Sequence, residues 1–256
     1  MSVIHIFDID GTLTPPKKPM DQQFAEMFGL WASKNQFCLV TGGTLDDIKS
    51  QIPRDILAKI CFVFACSGNA VYSYQSDSTE LELEYANDFV ESQELLDFLN
   101  FELKYSNWGT KFGNHIERRQ GAINFSVVGR NADDEWRQKY YEFDKHDGER
   151  RRIATAINER FPLYWADIGG MISIDITMRG QDKRQILDYL DLSNGSVKFY
   201  GDKISYGNDK PLADEIEKRK CGTSYEVTGY NDLIELLGLK YTTSNAVNSV
   251  VDSQDL

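Results

Sequence analysis

Apolar runs and helical periods alternate along the first third of the chain. Short runs rich in β-branched and aromatic residues at 3–8, 37–40 and 61–65 predict three strands, and each run stops at polar residues. Between them, apolar residues recur at helical spacing over 22–34 and 45–52. Strands joined through helices indicate a parallel sheet. Because ligands of such sheets bind at the carboxyl ends of the strands, we expect the polar strand ends to form a common site.

The pattern changes over residues 87–178. A helical period at 92–103 is followed by alternating runs at 122–128 and 171–177, and between these runs lies a charged, helix-favouring stretch at 133–160. Strands mixed with helices in this way predict an antiparallel sheet backed by helices. We therefore expect an inserted second domain.

The first pattern then returns, with a predicted helix at 183–190, a strand at 197–200 and a polar cluster at 201–209. A core split around an insertion accounts for this order. The predicted fold class is α/β, a Rossmann-like parallel-sheet core with an inserted α+β cap domain of antiparallel sheet plus helices. The predicted bounds are 1–84 and 181–240 for the core, 85–180 for the cap and 241–256 for a flexible tail.

The composition is that of an ordinary globular enzyme, with 41% hydrophobic and 27% charged residues among 256. The net charge of -12, from 40 acidic and 28 basic side chains, disfavours nucleic acid and anionic membranes as partners. The same charge would repel a phosphorylated substrate, so an anion site has to supply its own cations. The opening MSVIHIFDID has no basic segment and the chain has no apolar run of about 18 residues, from which we expect a cytoplasmic protein.

Two carboxylates, Asp8 and Asp10, stand one residue apart in FDIDGTLT, where the first strand gives way to a loop that contains glycine. Like charges this close are costly unless a cation neutralises them, and a hard divalent ion with oxygen ligands is the natural candidate. An Asp-rich turn that caps the next helix is the alternative interpretation.

The string DxDGT after an apolar strand resembles the first motif of the haloacid dehalogenase superfamily of phosphotransferases. The resemblance implies that Asp8 attacks phosphorus and becomes an aspartyl phosphate, while Asp10 acts as general acid and base. It also implies that both residues bind Mg²⁺, Asp10 through its carbonyl oxygen.

Further motifs of that superfamily follow in the expected order. The resemblance assigns the hydroxyl that binds the transferring phosphoryl group to Thr41 in LVTGGT, with Thr44 as the alternative, and the phosphate-binding ammonium to Lys183 in GQDKRQIL. In FYGDKISYGND it assigns an acidic metal ligand to Asp202 and an orienting role to Asp209. Taken singly these signals are weak, since a lone lysine in a charged segment is typical of a solvated helix face.

The inserted segment resembles the cap domain of the eukaryotic-type phosphomannomutases. The match runs through IERRQGAINFSVVGR, DEWRQKYYEFD and GGMISIDITMRGQDKR. A mutase has to hold a bisphosphorylated intermediate by its non-reacting end, so a second cationic pocket is required. The resemblance assigns phosphate binding to Arg119, Arg130 and Arg137, and contacts with phosphate and sugar hydroxyls to Ser173 and Asp175, which strand alternation places on one face. Arginines on a solvated surface are the alternative interpretation.

Two features depart from the family pattern. Lys17 in TPPKK stands where the family has an arginine that binds substrate, and lysine keeps the charge without the bidentate geometry. The loop between Asp202 and Asp209 is one residue shorter than in the family. These departures keep a sugar-phosphate phosphatase open as an alternative, and a binding protein that has lost activity is a third hypothesis.

The resemblance implies a phosphomannomutase-like, Mg²⁺-dependent enzyme that interconverts hexose 6-phosphate and hexose 1-phosphate, with mannose favoured. The reaction would pass through an aspartyl phosphate and a hexose 1,6-bisphosphate, which is also the implied activator. The resemblance further implies a homodimer through the cap and a place in GDP-mannose biosynthesis. The choice between mannose and glucose depends on a few hydroxyl contacts, which the sequence leaves open.

Overall fold

The computed structural model describes residues 2–75 and 78–240, and the predicted flexible tail at 241–256 lies outside them. The strands are β1 (Ser2–Phe7), β2 (Gln36–Val40), β3 (Phe62–Ala65), β4 (Ala70–Tyr74), β5 (Leu81–Ala86), β6 (Ile116–Arg119), β7 (Ala122–Phe125), β8 (Tyr164–Gly169), β9 (Ser173–Met178), β10 (Gly195–Gly201) and β11 (Gly222–Glu226). The helices are α1 (Gln22–Ala32), α2 (Leu45–Gln51), α3 (Arg54–Leu57), α4 (Gln93–Tyr105), α5 (Asp134–Asp147), α6 (Glu149–Arg160), α7 (Ile186–Tyr189), α8 (Lys210–Arg219) and α9 (Tyr230–Leu236). Within the described ranges, none of the helices has both the length and the apolar composition needed to cross a bilayer.

The larger sheet has the strand order β11-β10-β1-β2-β3-β4-β5. Neighbours from β11 to β3 are parallel, and β1 pairs with β10 from Ser2↔Gly195 to Phe7↔Tyr200. The predicted α/β class with a parallel core is confirmed. Strands β4 and β5 extend the sheet in the antiparallel sense and were not predicted. Strand β5 lies at the sheet edge with most of its side chains exposed, so it lacks the apolar run of a buried strand.

Helix α1 anchors β1 beside the start of the loop at residue 8. The ring centroid of Phe28 lies 5.3 Å from that of Phe7 and 5.6 Å from that of Phe37, and all three side chains are fully buried. Burying a side chain of this size contributes about 2 kcal/mol. The packing of Phe7 against α1 therefore holds the carboxyl end of β1 in place.

The smaller sheet has the order β6-β7-β9-β8 and is antiparallel throughout, as predicted for the inserted segment. One face is apolar and packs on α4, α5 and α6 through a cluster that includes Ile123, Phe125, Ile174 and Ile176. The opposite face of the same strands is polar, because alternate residues point to opposite sides of a sheet. The domain bounds remain a prediction, and β5 of the larger sheet extends to Ala86.

Two predicted helical stretches take a different form. The stretch 133–160 folds as α5 and α6, because Gly148 between them has a φ of 71° in the left-handed region, which ends the first helix. The stretch 183–190 contains a tight turn at Lys183–Gln185 followed by the short α7. Asp182 accepts the backbone N–H of Arg184 at 3.0 Å and so favours a tight turn there.

Candidate active site

The predicted site lies at the carboxyl ends of three adjacent strands. Asp8 follows β1, Thr41 follows β2 and Asp202 follows β10, and the order β10-β1-β2 makes these ends neighbours. The backbone pairing continues past β1, where the N–H of Asp8 donates to the carbonyl of Tyr200 at 2.9 Å. The parallel sheet therefore brings the polar strand ends together.

A carboxylate cluster forms at these ends. Asp8, Asp202 and Asp209 each place a carboxylate oxygen within 4.8 Å of the others. The Nζ atom of Lys183 is fully buried and lies 2.6 Å from Oδ1 of Asp8 and 2.5 Å from Oδ1 of Asp209. Nζ of Lys203 lies 3.7 Å from Oδ2 of Asp202, so three carboxylates meet two ammonium groups and one negative charge remains in excess.

Burial determines the electrostatics of the cluster. It raises the pKa of Asp8, the carboxylates of Asp209 and Asp202 raise it further, and the Lys183 ammonium opposes the rise. Burial alone would lower the pKa of Lys183, but Asp209 and Asp8 outweigh it, so the pKa is raised and the lysine keeps its proton. Another cation in the cluster would stabilise the ionised carboxylates.

The donor set fits a hard divalent cation, because carboxylate oxygens are the ligands that Mg²⁺ prefers. The predicted ligands Asp8 and Asp202 are brought together, and the cluster also contains Asp209, to which the sequence assigned an orienting role. Gly11 lets the loop after β1 pass against this cluster. Its φ is 88°, and a Cβ atom at this position would lie 2.4 Å from Oδ2 of Asp202.

Among the described residues, the side chain of Asp10 is not part of the carboxylate cluster. Its Oδ1 accepts the backbone N–H of Lys17 and the side-chain amide of Gln51, both at 2.7 Å. Gln51 was not predicted, and the signal that could have found it is its position on the apolar side of α2, three residues after the buried Ile48. Gln51 is buried and fixes the orientation of the Asp10 carboxylate.

Lys17, predicted to bind substrate, lies on the same loop with its side chain half exposed. Its Nζ is 3.3 Å from Asp47 and 3.8 Å from Asp10. Its φ of 58° is in the left-handed region, which non-glycine residues adopt infrequently. The charge of Lys17 is therefore shared between two carboxylates at the edge of the site.

The two threonines of LVTGGT have different surroundings. Thr41 is buried directly after β2, and its Oγ1 accepts the N–H of Gly43 at 3.1 Å. Thr44 caps α2, since its Oγ1 accepts the N–H of Asp47 at 3.3 Å while Asp47 accepts the N–H of Thr44 at 2.9 Å. The hydroxyl of Thr44 is thus used for helix capping, which favours Thr41 as the phosphate-binding group.

The polar face of the cap sheet gathers several predicted residues. Cross-strand pairing sets Glu117, Asn124 and Asp175 in one row, and Arg119 and Ser173 lie on the same face. The amide of Asn124 donates to Asp175 at 2.6 Å. Glu117 and Asn124 were not predicted, although the alternation of polar and apolar residues around them was the signal that could have placed them on this face.

Arg130 reaches the polar face from the loop after β7. Its Nη1 donates to Oγ of Ser173 at 3.0 Å and its Nε to Glu117 at 2.6 Å. Arg137 donates from Nε to the carbonyl of Ala132 and from Nη2 to the carbonyl of Arg130, both at 2.8 Å. The structure therefore joins Arg130 to Ser173 and places Arg137 as a support for the loop that carries Arg130.

The cap and the core touch beside the carboxylate cluster. Nη1 of Arg119 donates to the carbonyl of Gly42 at 3.3 Å. Asn87, where the chain first crosses into the cap, donates to Oδ1 of Asn69 at 3.0 Å, and Asn69 donates to the carbonyl of Gln181 in the second crossing at 3.1 Å. These amides were not predicted, because single amides in loops carry no distinctive sequence pattern.

A family model described as eukaryotic phosphomannomutase matches residues 24–238 of the chain. The chain belongs to the eukaryotic phosphomannomutase family. This confirms the resemblance found in the sequence and the expectation of an enzyme of the phosphomannomutase family.

Individual relatives agree with the family match. A phosphomannomutase of Spinacia oleracea is 32% identical over 214 residues, covering 81% of this chain and 85% of the relative. A probable phosphomannomutase of Caenorhabditis elegans is 31% identical over 222 residues, covering 83% and 87%. Each relative matches more than four fifths of the chain, and the family match at 24–238 includes the whole predicted cap and nearly all of the core segment that follows it.

Solved structures share the fold of this phosphomannomutase-family chain at much lower identity. An N-terminally truncated, IMP-bound IMP-nucleotidase of Plasmodium falciparum aligns with a TM-score of 0.61 and 17% identity, covering 93% of this chain and 67% of that one. A trehalose-6-phosphate phosphatase of Aspergillus fumigatus aligns with a TM-score of 0.53 and 16% identity, covering 93% and 91%. At these identities the likeness supports the fold alone.

Proposed function

We propose that this chain interconverts a hexose 6-phosphate and a hexose 1-phosphate, with mannose phosphates as the favoured substrates. The observation that carries the proposal is the contact between Arg119, on the arginine-bearing face of the cap, and Gly42 in the core loop after β2, the strand next to β1. A reacting site and a separate cationic site in one enzyme suit a substrate that carries phosphate at both ends during the reaction.

In the core, a carboxylate oxygen of Asp8 attacks one phosphorus of the hexose 1,6-bisphosphate, and the sugar oxygen leaves as the aspartyl phosphate forms and a hexose monophosphate is released. Transfer of this phosphoryl group from Asp8 to the free hydroxyl of a hexose monophosphate of the other isomer forms the bisphosphate again. Lys183, whose Nζ lies 2.6 Å from Asp8, and the hydroxyl of Thr41 bind the transferring phosphoryl oxygens. Because Lys183 is buried and already in place, little reorganisation accompanies the reaction.

Asp8, Asp202 and Asp209, with the carbonyl oxygen of Asp10, are the residues that we assign to Mg²⁺. When bound, the ion supplies charge neutralisation for the transferring phosphoryl group. The three carboxylates outnumber the ammonium groups of Lys183 and Lys203, so the metal-free cluster would repel a phosphate.

Asp10 accepts and returns the proton of the sugar hydroxyl. Its Oδ1 is already occupied by the backbone of Lys17 and the amide of Gln51, which leaves Oδ2 as the oxygen that handles the proton.

The cap binds the end of the hexose that is not reacting. Arg119 and Arg130 bind its phosphate, with Arg137 holding the loop of Arg130, and Ser173 and Asp175 contact phosphate and sugar hydroxyls. Successive phosphoryl transfers use different hydroxyls, so the hexose 1,6-bisphosphate turns end for end and the cap holds each phosphate in turn. Added hexose 1,6-bisphosphate phosphorylates Asp8 and thereby serves as activator.

Assembly and location follow from the family resemblance. We propose a homodimer through the cap and a cytoplasmic enzyme that supplies mannose 1-phosphate for GDP-mannose. Light scattering on the purified protein measures the mass directly, and a particle of one chain would contradict the dimer.

A substrate panel tests the proposed reaction. Hexose 1-phosphates and 6-phosphates are supplied with and without hexose 1,6-bisphosphate, and isomer and inorganic phosphate are measured in the same tube. We expect mannose 6-phosphate from mannose 1-phosphate only when the bisphosphate is present, and no turnover by a folded Asp8→Asn variant. Absence of the isomer with the bisphosphate present would refute the mutase.

Arg130→Ala distinguishes the contribution of the cap to activity from that of the core. We expect the mutase rate to fall about 100-fold, since a charge-assisted bidentate contact is lost, while hydrolysis of p-nitrophenyl phosphate changes by less than about threefold. The small aryl phosphate has no distal phosphate for the cap to bind. Equal losses in the two assays would contradict the cap role of Arg130.

A sugar-phosphate phosphatase is the second candidate. It is favoured by Lys17, a lysine whose charge is shared with Asp47 and Asp10 where the family has an arginine. Release of inorganic phosphate at the rate of sugar turnover in the same panel would support it over the mutase.

A further inference from the structure

Glu117 lies between two cap arginines. Its Oε2 accepts Nε of Arg130 at 2.6 Å and Nη2 of Arg119 at 3.1 Å, and its Oε1 accepts Nε of Arg119 at 3.3 Å. The exposed fraction is 33% for the Glu117 side chain, 24% for Arg130 and 10% for Arg119. One carboxylate therefore joins two guanidinium groups in a partly buried position, where salt screens their charges less than at an open surface.

Two guanidinium groups this close would repel each other without the carboxylate. Burial alone would raise the pKa of Glu117, but the hydrogen bonds and charges of Arg119 and Arg130 outweigh it and hold the pKa below its ordinary value. Glu117 is thus ionised when the arginines are in place. The three side chains together carry a net charge of one positive unit.

Each guanidinium group is also fixed at a second point. Nη1 of Arg130 donates to Ser173, and Nη1 of Arg119 donates to the carbonyl of Gly42 in the core. Side chains that are ordered before a ligand arrives lose less conformational entropy when it binds. The two arginines are therefore arranged to receive an anion with little further ordering.

We propose that Glu117 is a positioning residue that holds Arg119 and Arg130 in the orientation in which both bind the non-reacting phosphate of a hexose phosphate. The proposal deepens the proposed function and rests on it for the identity of the ligand. Glu117 acts through the arginines, and its row on the polar face with Asn124 places it beside the sugar-facing residues.

Strand β6 offers a matched control. Arg118, the next residue to Arg119, lies on the opposite face of the sheet and donates from Nε and Nη2 to Glu91 at 2.8 and 3.0 Å. Glu91→Gln removes a carboxylate from a bidentate arginine pair outside the site. Glu117→Gln removes the same charge from within it and keeps the length of the side chain.

The test measures binding of mannose 1-phosphate by calorimetry to the Mg²⁺-loaded full chain carrying Asp8→Asn, which prevents turnover. We expect Glu117→Gln to weaken binding about tenfold through loss of preorganisation and Glu91→Gln to change it by less than about twofold. In an Arg130→Ala background the effect of Glu117→Gln should fall to about threefold or less. With Asp8 intact, hydrolysis of p-nitrophenyl phosphate should stay within about twofold for both variants.

Unchanged or tighter binding by Glu117→Gln would overturn the proposal, because Glu117 would then be no more than a countercharge. An equal loss in Glu91→Gln, or a loss that persists undiminished without Arg130, would also overturn it by revealing general damage to the cap. A wild-type chain that forms no isomer with bisphosphate present would refute the mutase, while the binding ratios would still decide the role of Glu117.

Discussion

The active-site residues work in pairs that are distant in the sequence. Lys183 contacts Asp8, which is 175 positions away, and Gln51 holds Asp10 across 41 positions. Each contact fixes a carboxylate to which we assign a catalytic role, and such ordering before substrate binds is the condition for effective electrostatic catalysis. A change that moves one partner by an ångström is therefore expected to cost activity more than stability.

Gly11→Ala should cause such a displacement. The added Cβ would lie 2.4 Å from Oδ2 of Asp202, so either the loop or the carboxylate has to move. We expect turnover to fall at least about tenfold and the Mg²⁺ concentration for half-maximal rate to rise, with a stability cost of about 1–2 kcal/mol for the left-handed backbone. Magnesium titration of the rate, beside thermal unfolding, measures both effects.

Gly148→Ala is the control for backbone strain. Gly148 has a φ of 71°, and an added Cβ would meet no heavy atom within 4 Å. A similar loss of stability with normal Mg²⁺ dependence is expected for this variant. If Gly11→Ala also kept the wild-type Mg²⁺ dependence, the close approach of Gly11 to Asp202 would not be needed for Mg²⁺ binding.

Residues within ordered motifs could be predicted from the sequence, whereas their supporting partners could not. The motif FDIDGTLT is a dense local pattern, and Asp8 follows from it directly. Glu117 and Gln51 belong to common residue types, and their importance arises from contacts that exist only in the folded chain. Asp209 was predicted to orient the site, and its position in the carboxylate cluster with Asp8 is a tertiary feature that the sequence does not show.

At the scale of elements, Thr44 caps helix α2, whereas we assign the phosphoryl-binding role to Thr41. Thr44→Ala removes the N-cap and half of the capping box, so we expect a loss of about 1 kcal/mol in the free energy of unfolding. Because the Thr44 hydroxyl serves the helix, kcat/KM should change by less than about twofold. Urea unfolding and the mutase assay on the same sample give both values.

Thr41→Ala is the converse case. Its hydroxyl contacts the N–H of Gly43 at the end of β2, and we assign it to the transferring phosphoryl group. A variant that loses turnover with little change in unfolding supports that assignment. A strong loss of activity in Thr44→Ala instead would reverse the roles of the two threonines.

Strand β1 carries a pH-dependent contribution to stability at His5. The ring stacks against Tyr200 with its Nδ1 3.3 Å from the tyrosine hydroxyl. Burial, with the charge of Lys198 on the neighbouring strand, lowers the pKa of His5 from 6.5 to about 4. His5 therefore takes up a proton near pH 6.5 in the unfolded chain but only near pH 4 in the folded chain. The free energy of unfolding decreases as the pH falls from 6.5 to about 4.

His5→Phe should remove this dependence while keeping an aromatic ring in the stack. Between pH 7 and pH 5 we expect the wild-type chain to lose about 2 kcal/mol more than His5→Phe in the free energy of unfolding. Above pH 7 the two curves should be parallel, because His5 is neutral in both states. Identical losses below pH 6.5 would exclude His5 as the cause.

Four of the five strands of the parallel core were predicted to within about two residues, because buried β-branched and aromatic runs are strong local signals. Strand β11 was not predicted, since it lies at the sheet edge and none of its side chains is fully buried. Strand β5 was missed for the opposite reason, since its sequence LELEYA alternates and most of its side chains are exposed. The break between α5 and α6 depends on one glycine in a left-handed conformation, and helical periodicity on either side conceals it.

For the molecule as a whole, the proposed mechanism requires the cap to lie close on the core, so that phosphate passes to sugar and not to water. The two chain crossings are joined through Asn69, which accepts from Asn87 and donates to the carbonyl of Gln181. Asn87 also donates to Gln185 at 2.8 Å, and its carbonyl accepts from Gln120 of the cap at 2.5 Å. These contacts join the two chain crossings to each other, to the core and to the cap.

Asn87→Ala should loosen this connection by removing two side-chain hydrogen bonds, each worth about 1 kcal/mol. A cap that opens more often admits water to phosphorylated Asp8, so inorganic phosphate released per isomer formed should rise several-fold while unfolding changes little. Asn107→Ala is the matched control, because that amide donates to Asp147 within the cap at an exposed position. A ratio of phosphate to isomer that stays at the wild-type value in Asn87→Ala would mean that water is excluded by the polar face of the cap itself, whatever the state of the crossings.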